Sequence, residues 1–132
     1  MTTHINHIIL QGNLVRDPEV KEFTSSKVCK FTIASNYTFK DVTGSPVKEV
    51  CFTEVTAWGL LADHVMATLT KGSPCIVEGR LKEETWVSRD AGKKMSKFVI
   101  VATEVIDLPR NPKVIDNPDQ YEAEEPSFLG TV

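Results

Sequence analysis

Most of this chain alternates apolar and polar residues, and one stretch of about twelve residues breaks the alternation. A period of two is typical of strands with one buried face, whereas spacings of three and four are typical of an amphipathic helix. Leu61, Ala62, Val65, Met66 and Leu69 follow the helical spacing, which predicts one short helix over Leu60–Lys71, with Gly72 as its C-cap. The alternation predicts strands at Ile5–Val15, Val28–Tyr37, Val47–Trp58, Pro74–Trp86 and Lys97–Ile106, with a brief pairing at 19–23.

The order of these elements constrains the fold. Turn-forming residues follow the first strand at Arg16-Asp17-Pro18 and separate later strands at 24–27, 41–46 and 89–93. Three strands, one helix and two further strands are the plan of an all-β, five-stranded OB-fold barrel with the helix between strands 3 and 4. Such barrels bind oligonucleotides or sugars, so topology alone leaves the function open.

The charge is distributed unevenly along the chain. Residues 114–132 hold five acids and no base, whereas residues 1–113 hold fifteen bases and thirteen acids. Prolines at 109, 112, 118 and 126 interrupt any helix or ladder there. We therefore predict an OB-fold domain over 1–108 and a flexible acidic C-terminal tail over 109–132. A slightly basic domain suits an anionic ligand, and the separate tail suits a partner protein.

Localisation and metal chemistry are limited by what the sequence lacks. No run of ~18 apolar residues and no secretory signal pattern is present, so we expect a cytoplasmic protein. Cys29, Cys51 and Cys75 are widely spaced in strand-like surroundings, which predicts reduced core thiols. His4, His7 and His64 have no Cys or His partner at metal spacing. We predict neither a metal site nor a cofactor.

Several aromatic residues fall on the polar sides of predicted strands. Around 50–58, the small side holds Cys51, Thr53, Val55 and Ala57, and the other side holds Phe52, Glu54, Thr56 and Trp58. Around 74–86, Val77, Gly79 and Leu81 are predicted inward, and Glu78, Arg80, Lys82, Glu84 and Trp86 outward. In the second strand, Cys29, Phe31 and Ile33 are predicted to face the core, and Lys30, Thr32, Ala34 and Asn36 the solvent.

Exposed rings among cations indicate a surface for single-stranded nucleic acid. Unpaired bases stack on aromatic rings whatever the sequence, at ~1–3 kcal/mol each, and Lys and Arg neutralise the phosphates. The predicted stacking residues are Phe39, Phe52, Trp58 and Trp86, and the predicted phosphate contacts are Lys30, Lys40, Lys71, Arg80 and Lys82.

Other interpretations of the same residues stay open. Phe39, Phe52 and Trp58 could instead cover a second small core or a subunit contact, and the bases could be an ordinary solvated face. A nuclease would need paired carboxylates on a metal ion, but Glu83 and Glu84 are neighbours in a strand and point to opposite faces. A single-stranded RNA binder or a primosome-type module could use the same rings, although nothing visible recognises a 2′-hydroxyl.

Five collinear segments resemble the bacterial single-stranded DNA-binding protein (SSB) family. They are Ile9–Val20, with its Gly-Asn-Leu and Asp-Pro-Glu runs, Phe31–Asn36, Ala57–Ala62, Leu69–Ser73, and Val77–Leu81 continuing to Trp86. The resemblance spans about residues 5–107. It implies sequence-independent binding of single-stranded DNA during replication, recombination and repair, by a homotetramer with no catalytic activity. It also places Phe39, Phe52, Trp58 and Trp86 at the base-stacking positions of the family.

The tail and several positions of the expected DNA-binding surface depart from the family pattern. The resemblance implies that an acidic tip recruits replication and repair proteins, and the matching residues are Glu124, Glu125, Pro126, Phe128 and Leu129. In the family the Pro-Phe pair is terminal, whereas here Ser127 separates the pair and residues 129–132 follow it. Leu60, Glu54 and Glu84 replace frequent bases of the family. We therefore expect weaker binding and a shallower salt dependence than in a more basic relative.

Overall fold

The computed structural model describes residues 2–110. Its strands occupy the segments that alternate apolar and polar residues, and its one helix occupies the segment with helical spacing. The elements are β1 (Ile8–Leu14), β2 (Glu19–Glu22), β3 (Lys27–Lys40), β4 (Pro46–Trp58), α1 (Leu60–Thr68), β5 (Pro74–Val87) and β6 (Lys94–Asp107). The first strand begins three residues later than predicted, whereas β3 and β6 are longer at both ends. The predicted tail beyond residue 110 lies outside the described residues.

The strands close into a ring. The hydrogen-bonded order is β1-β5-β6-β4-β3, and a further pairing of β1 with β3 joins the two ends. β2 is an additional short strand on the outer side of β3. The pairing of β4 with β6 is parallel, and the other pairings are antiparallel. A five-stranded barrel with its helix between the third and fourth barrel strands, β4 and β5, confirms the predicted OB-fold.

The barrel interior is filled by the alternate residues of its strands. Val55, Val77 and Ile100 are among its fully buried side chains, and burying each such side chain contributes ~1.5–3 kcal/mol. α1 covers the core with Ala62 and Val65, followed by Leu69 at its C-cap. The predicted inward positions Cys29, Phe31 and Ile33 are confirmed. No helix within residues 2–110 is long and apolar enough to cross a membrane.

The helix ends earlier than its apolar spacing predicts. Thr68 is the last helical residue, and Leu69 is an extended C-cap whose N–H donates to the carbonyl of Val65 at 2.9 Å. Gly72, predicted as the C-cap, instead lies in the following turn with φ +88°. Its N–H donates to the carbonyl of Leu14 at 2.8 Å, which joins this turn to the end of β1.

Two pairs of strands project beyond the barrel, and we call them the β3–β4 arm (36–50) and the β5–β6 arm (82–99). Pairing of β1 with β3 stops at Ala34, and pairing of β1 with β5 stops at Gly79. The Asn6 side chain extends the contact between the β1 side of the barrel and β5 by one residue pair. It donates to the carbonyl of Leu81 at 2.8 Å and accepts from its N–H at 2.9 Å. Beyond Leu81 the arm is a two-stranded ribbon.

Three predictions of burial are wrong, and two of them fall where the barrel contacts end. Leu81 and Cys51, predicted inward, are exposed because no opposite barrel wall covers them. Ala34, predicted to meet solvent, is buried in a second small cluster with Val15 and Val50. Alternation continues along a strand after its barrel contacts end, so the pattern does not show where burial stops.

One irregularity sets the register of β5 and β6. Between the pairs Glu78↔Glu104 and Gly79↔Ala102, Thr103 is an extra residue of β6, and its hydroxyl donates to the carbonyl of Glu78 at 3.1 Å. The chains approach so closely there that a Cβ on Gly79 would lie 2.1 Å from the carbonyl oxygen of Val101. Glycine is therefore required for this close approach.

Candidate nucleic-acid interface

Four strands share one outward surface, which we call the outer face. Directly paired residues lie on the same side of a sheet, so the register identifies its members. Lys30 pairs with Thr56, Thr56 with Val101, and Val101 with Arg80, which carries one row of side chains across β3, β4, β6 and β5. By the same alternation the outer face carries Thr32, Ala34, Phe52, Glu54, Trp58, Lys82, Glu84, Trp86 and Lys97.

An open groove of about 530 Å³ lies on this surface beside the β5–β6 arm. Lys30, Lys82, Trp86 and Lys97 line it, together with Glu83, Glu84 and Thr85. A second depression of about 140 Å³ continues from Lys30 towards Arg16 and Asp17, with Glu54 in its lining. Lys30 belongs to both, so one trough runs from Trp86 to Arg16. Its cations Arg16, Lys30, Lys82 and Lys97 alternate with the carboxylates of Asp17, Glu19, Glu54, Glu83 and Glu84.

Trp86 keeps 43% of its surface exposed at the arm end of the groove. The Lys97 ammonium lies 5.7 Å from the centroid of a Trp86 ring, within the range of a cation–π contact. The same ammonium donates to Glu54 Oε2 at 2.9 Å. The ring is therefore held by a neighbour and yet remains available to a stacking ligand.

Trp58 is the second exposed ring of the outer face, with 48% of its surface accessible. Trp58 is the last residue of β4. Its cross-strand partner on the same face, Val28, is buried. Gly59 follows with φ +64°, a left-handed conformation that turns the chain into α1. The backbone at Trp58 is consequently positioned by its pairing with Val28 and by the turn between strand and helix.

Phe52 lies on the outer face but is only half exposed to solvent. Its ring packs against the small cluster of Val15, Ala34 and Val50. The alternative that this ring covers a second small core is therefore confirmed for Phe52. On the same face of β4, Glu54 lies two residues further along the strand.

Phe39 is not brought together with the other rings. It pairs with Val47 in the β3–β4 arm, on the side of the sheet opposite to Phe52 and Trp58. Its ring stacks on Tyr37 with centroids 6.0 Å apart and an interplanar angle of 30°. Lys40 has the parity of the outer face but lies at the far end of this arm, paired with Pro46.

Lys71 lies at the other end of the trough, outside the outer face. It belongs to the turn after α1, where its N–H donates to Asp17 Oδ1 at 2.8 Å. Arg110 Nη2 donates to the Lys71 carbonyl at 3.1 Å, and also to Thr70 Oγ1 and Ser73 Oγ. Since Asp17 lines the second depression, Lys71 stands at its rim.

Three features of the trough were not predicted as part of the site. Arg16 was assigned to the turn after the first strand, and Lys97 was not among the predicted phosphate contacts. The sequence could have placed Lys97 beside Trp86. Counting residues outwards from the hairpin turn pairs the two strands, and Lys97 then falls opposite Glu84 on the face of Trp86. The third feature is the buried Thr56 hydroxyl beside Lys30, which has no hydrogen-bond partner among the described residues.

The neighbouring acids Glu83 and Glu84, which line the groove, do not form the paired carboxylates that a nuclease would need. Glu83 pairs with Phe98 and Glu84 with Lys97, so the two carboxylates occupy opposite faces of β5. Within residues 2–110 no cluster of three or more His, Cys, Asp or Glu side chains could hold a metal ion. Burial raises the pKa of the Cys29 and Cys75 thiols to about 11, which disfavours their reactive thiolate forms.

Comparison with known proteins relates this chain to single-stranded DNA-binding proteins. The model of the single-strand binding protein family matches residues 5–108. A single-stranded DNA-binding protein of Wolinella succinogenes is 42% identical over 98 residues, covering 74% of this chain and 60% of the relative. One of Aquifex aeolicus is 34% identical over 123 residues, covering 92% of this chain and 82% of the relative. The chain spans 60% to 66% of the length of three curated relatives.

Solved structures show the same fold. An SSB of Plasmodium falciparum in complex with ssDNA superposes with a TM-score of 0.77 at 21% identity, over 83% of this chain and 99% of that chain. A deletion mutant of the single-stranded DNA binding protein from Thermus aquaticus superposes with a TM-score of 0.70 at 25% identity, over 80% of this chain and 51% of that chain.

Proposed function

This chain belongs to the single-strand binding protein family, and on that basis we propose that it binds single-stranded DNA without sequence specificity. The observation that carries the proposal is the trough on the outer face, where Trp86 stands exposed beside Lys30, Lys82 and Lys97. Stacking and phosphate neutralisation are both available there without any group that would select one base.

The residues of the outer face divide between two tasks. Trp58, Trp86 and the exposed part of Phe52 stack bases, and Lys30, Arg80 and Lys82 neutralise phosphates. The family resemblance adds Phe39 and Lys40, which the DNA would reach by passing around the β3–β4 arm. Lys71 neutralises a phosphate of DNA that leaves the trough past Asp17. Binding holds the strand open against reannealing and shields it from attack.

The wider role follows from the family. Coverage of single strands serves DNA replication, recombination and repair in the cytoplasm, at the nucleoid. The protein works as a homotetramer, and it acts by binding and not by catalysis. The acidic tail, with Glu124, Glu125, Pro126, Phe128 and Leu129, recruits replication and repair proteins. The family resemblance supports this role of the tail, whose residues lie outside the described structure.

A titration tests the proposal directly. Oligo-dT of graded length should quench the fluorescence of Trp58 and Trp86, and the length at saturation counts the strand covered by each assembly. Poly-U competing as well as poly-dT would favour an RNA-binding role instead. Release of nucleotides from oligo-dT in the presence of Mg²⁺ would contradict the non-catalytic role.

A further inference from the structure

Glu54 places a negative charge on the surface that we assign to a polyanion. It stands on the outer face of β4 between Phe52 and Trp58, and it lines the second depression of the trough. An acid there repels phosphate and reduces the ion release that drives nucleic-acid binding. Its presence therefore calls for a physical reason.

Its contact with Lys97 supplies that reason. Lys97 Nζ donates to Glu54 Oε2 at 2.9 Å, across 43 residues of sequence. The two side chains are partly buried, with 40% and 28% of their surfaces exposed, so solvent screens the pair less than a fully exposed one. The ammonium is also 5.7 Å from the Trp86 ring. Lys97 thus lies between the carboxylate and the ring that a base would use.

We propose that Glu54 masks Lys97 within the DNA-binding trough and positions it against Trp86. This inference rests on the function proposed above. The carboxylate cancels the charge of one groove cation and holds its long side chain in a single place. The result is a binding site whose affinity and salt dependence correspond to one fewer cation than its sequence contains.

The mask is reversible in principle, because a phosphate offers Lys97 the same charge as the carboxylate. Replacing Glu54 by glutamine keeps the shape and a hydrogen-bonding oxygen but removes the charge. Lys97 then meets phosphate without competition. A merely structural ion pair would not change the number of ions that binding releases.

The experiment measures affinity for oligo-dT at several salt concentrations in the full-length chain. Glu54→Gln should bind on the order of 3- to 10-fold more tightly at low salt, and its plot of log K against log salt should steepen by about 0.7. Adding Lys97→Gln to that variant should return the slope to that of the wild type. Thermal melting of each variant identifies any that has lost its fold.

Two matched substitutions serve as controls. Glu22→Gln removes an acid that pairs with Lys27 at 3.5 Å, outside the trough, and should leave the slope unchanged. Lys94→Gln, combined with Glu54→Gln, removes a cation of the same strand whose cross-strand partner is Val87, on the other face of the arm. The steep slope should persist in that combination.

The outcomes separate this inference from the proposed function. A wild-type chain that does not bind oligo-dT would remove the proposed function itself. A wild-type chain that binds, with the same slope in Glu54→Gln, would overturn only the masking role. Equal effects of Lys94→Gln and Lys97→Gln would also overturn it, because the gain would then be a general effect of net charge.

Discussion

Two exposed rings of the outer face are positioned in different ways. The Trp86 ring, in the trough, contacts the Lys97 ammonium, whereas Trp58 is positioned through its backbone, by pairing with Val28 and by the turn at Gly59. A ring that is already ordered loses little conformational entropy when a base stacks on it. Replacing such a residue should therefore change the affinity for DNA far more than it changes the free energy of unfolding.

Trp86→Ala should weaken binding to poly-dT by about 1–3 kcal/mol and leave the melting temperature nearly unchanged. Phe98→Ala is the matched control, since Phe98 lies on the same arm, is 61% exposed and pairs with Glu83 on the opposite face. We expect its effect on binding to stay within about 0.5 kcal/mol. A large loss of stability with normal affinity for Trp86→Ala would show that the ring belongs to a core.

The thiols should differ in reactivity. Burial raises the pKa of Cys29 and Cys75 to about 11, so almost no thiolate forms at neutral pH, whereas Cys51 is exposed on β4. An aromatic disulfide reagent at pH 8 should therefore modify Cys51 rapidly in the native protein, and all three cysteines after unfolding in urea. Rapid modification of all three thiols without urea would contradict the burial described for Cys29 and Cys75.

At the scale of elements, the sequence predicts the barrel well and the arms poorly. The change of period at Leu60 is enough to place the helix and to separate three strands from two. The end of the helix was missed because Gly72 has the conformation of a C-cap but serves the next turn. The face of Phe39 was missed because the strand was predicted to end at Tyr37. β3 continues to Lys40, so Phe39 keeps the parity of Phe31 and Ile33 and lies opposite to Phe52 and Trp58.

The same reasoning explains which residues of the site could be predicted from the sequence. Trp58, Trp86, Lys30, Arg80 and Lys82 are all on the outer face, because each lies in a strand whose parity is set by core residues. The link between Glu54 and Lys97 joins β4 to β6, so it requires knowledge of the parallel pairing at Thr56 and Val101. Local patterns contain no such information.

The close approach at Gly79 makes a prediction about β5 and β6. Gly79→Ala should destabilise the barrel by about 3 kcal/mol, because its Cβ would overlap the backbone of Val101 and Ala102, which cannot move freely. Gly44→Ala is the comparison, since nothing lies within 4 Å of its added Cβ and only its φ of +84° is unfavourable. We expect that change to cost about 1 kcal/mol. Urea unfolding followed by circular dichroism measures both, and equal losses would contradict the close packing at Gly79.

Across the whole molecule, charge is divided between a body of slight positive charge and an acidic C-terminal segment. Arg110 ties the beginning of that segment to the barrel through three acceptors at 3.0–3.1 Å. The barrel and its anchor are therefore complete before the acids begin at Asp116. Folding and DNA binding should reside in the first part of the chain.

Truncation after Lys113 should keep the melting temperature within about 2 °C and preserve binding to oligo-dT, because the barrel contacts and Arg110 remain. Binding of partner proteins should be lost with the acids. Arg110→Ala in the truncated chain should lower the melting temperature by about 4 °C, since three acceptors lose their donor. Scanning calorimetry measures these differences, and a large loss of stability on truncation alone would show that residues 114–132 belong to the folded unit.

The hydrogen bonds of Asn6 to Leu81 mark where the closed barrel ends and the two-stranded β5–β6 arm begins. Up to this point every strand of the ring has two neighbours, whereas beyond it β5 has only β6. We expect a two-stranded ribbon to bend more easily than a closed barrel, so that the arm can move without opening the ring. Under the proposed function, this bending would let purines and pyrimidines, which differ in size, stack in the same groove.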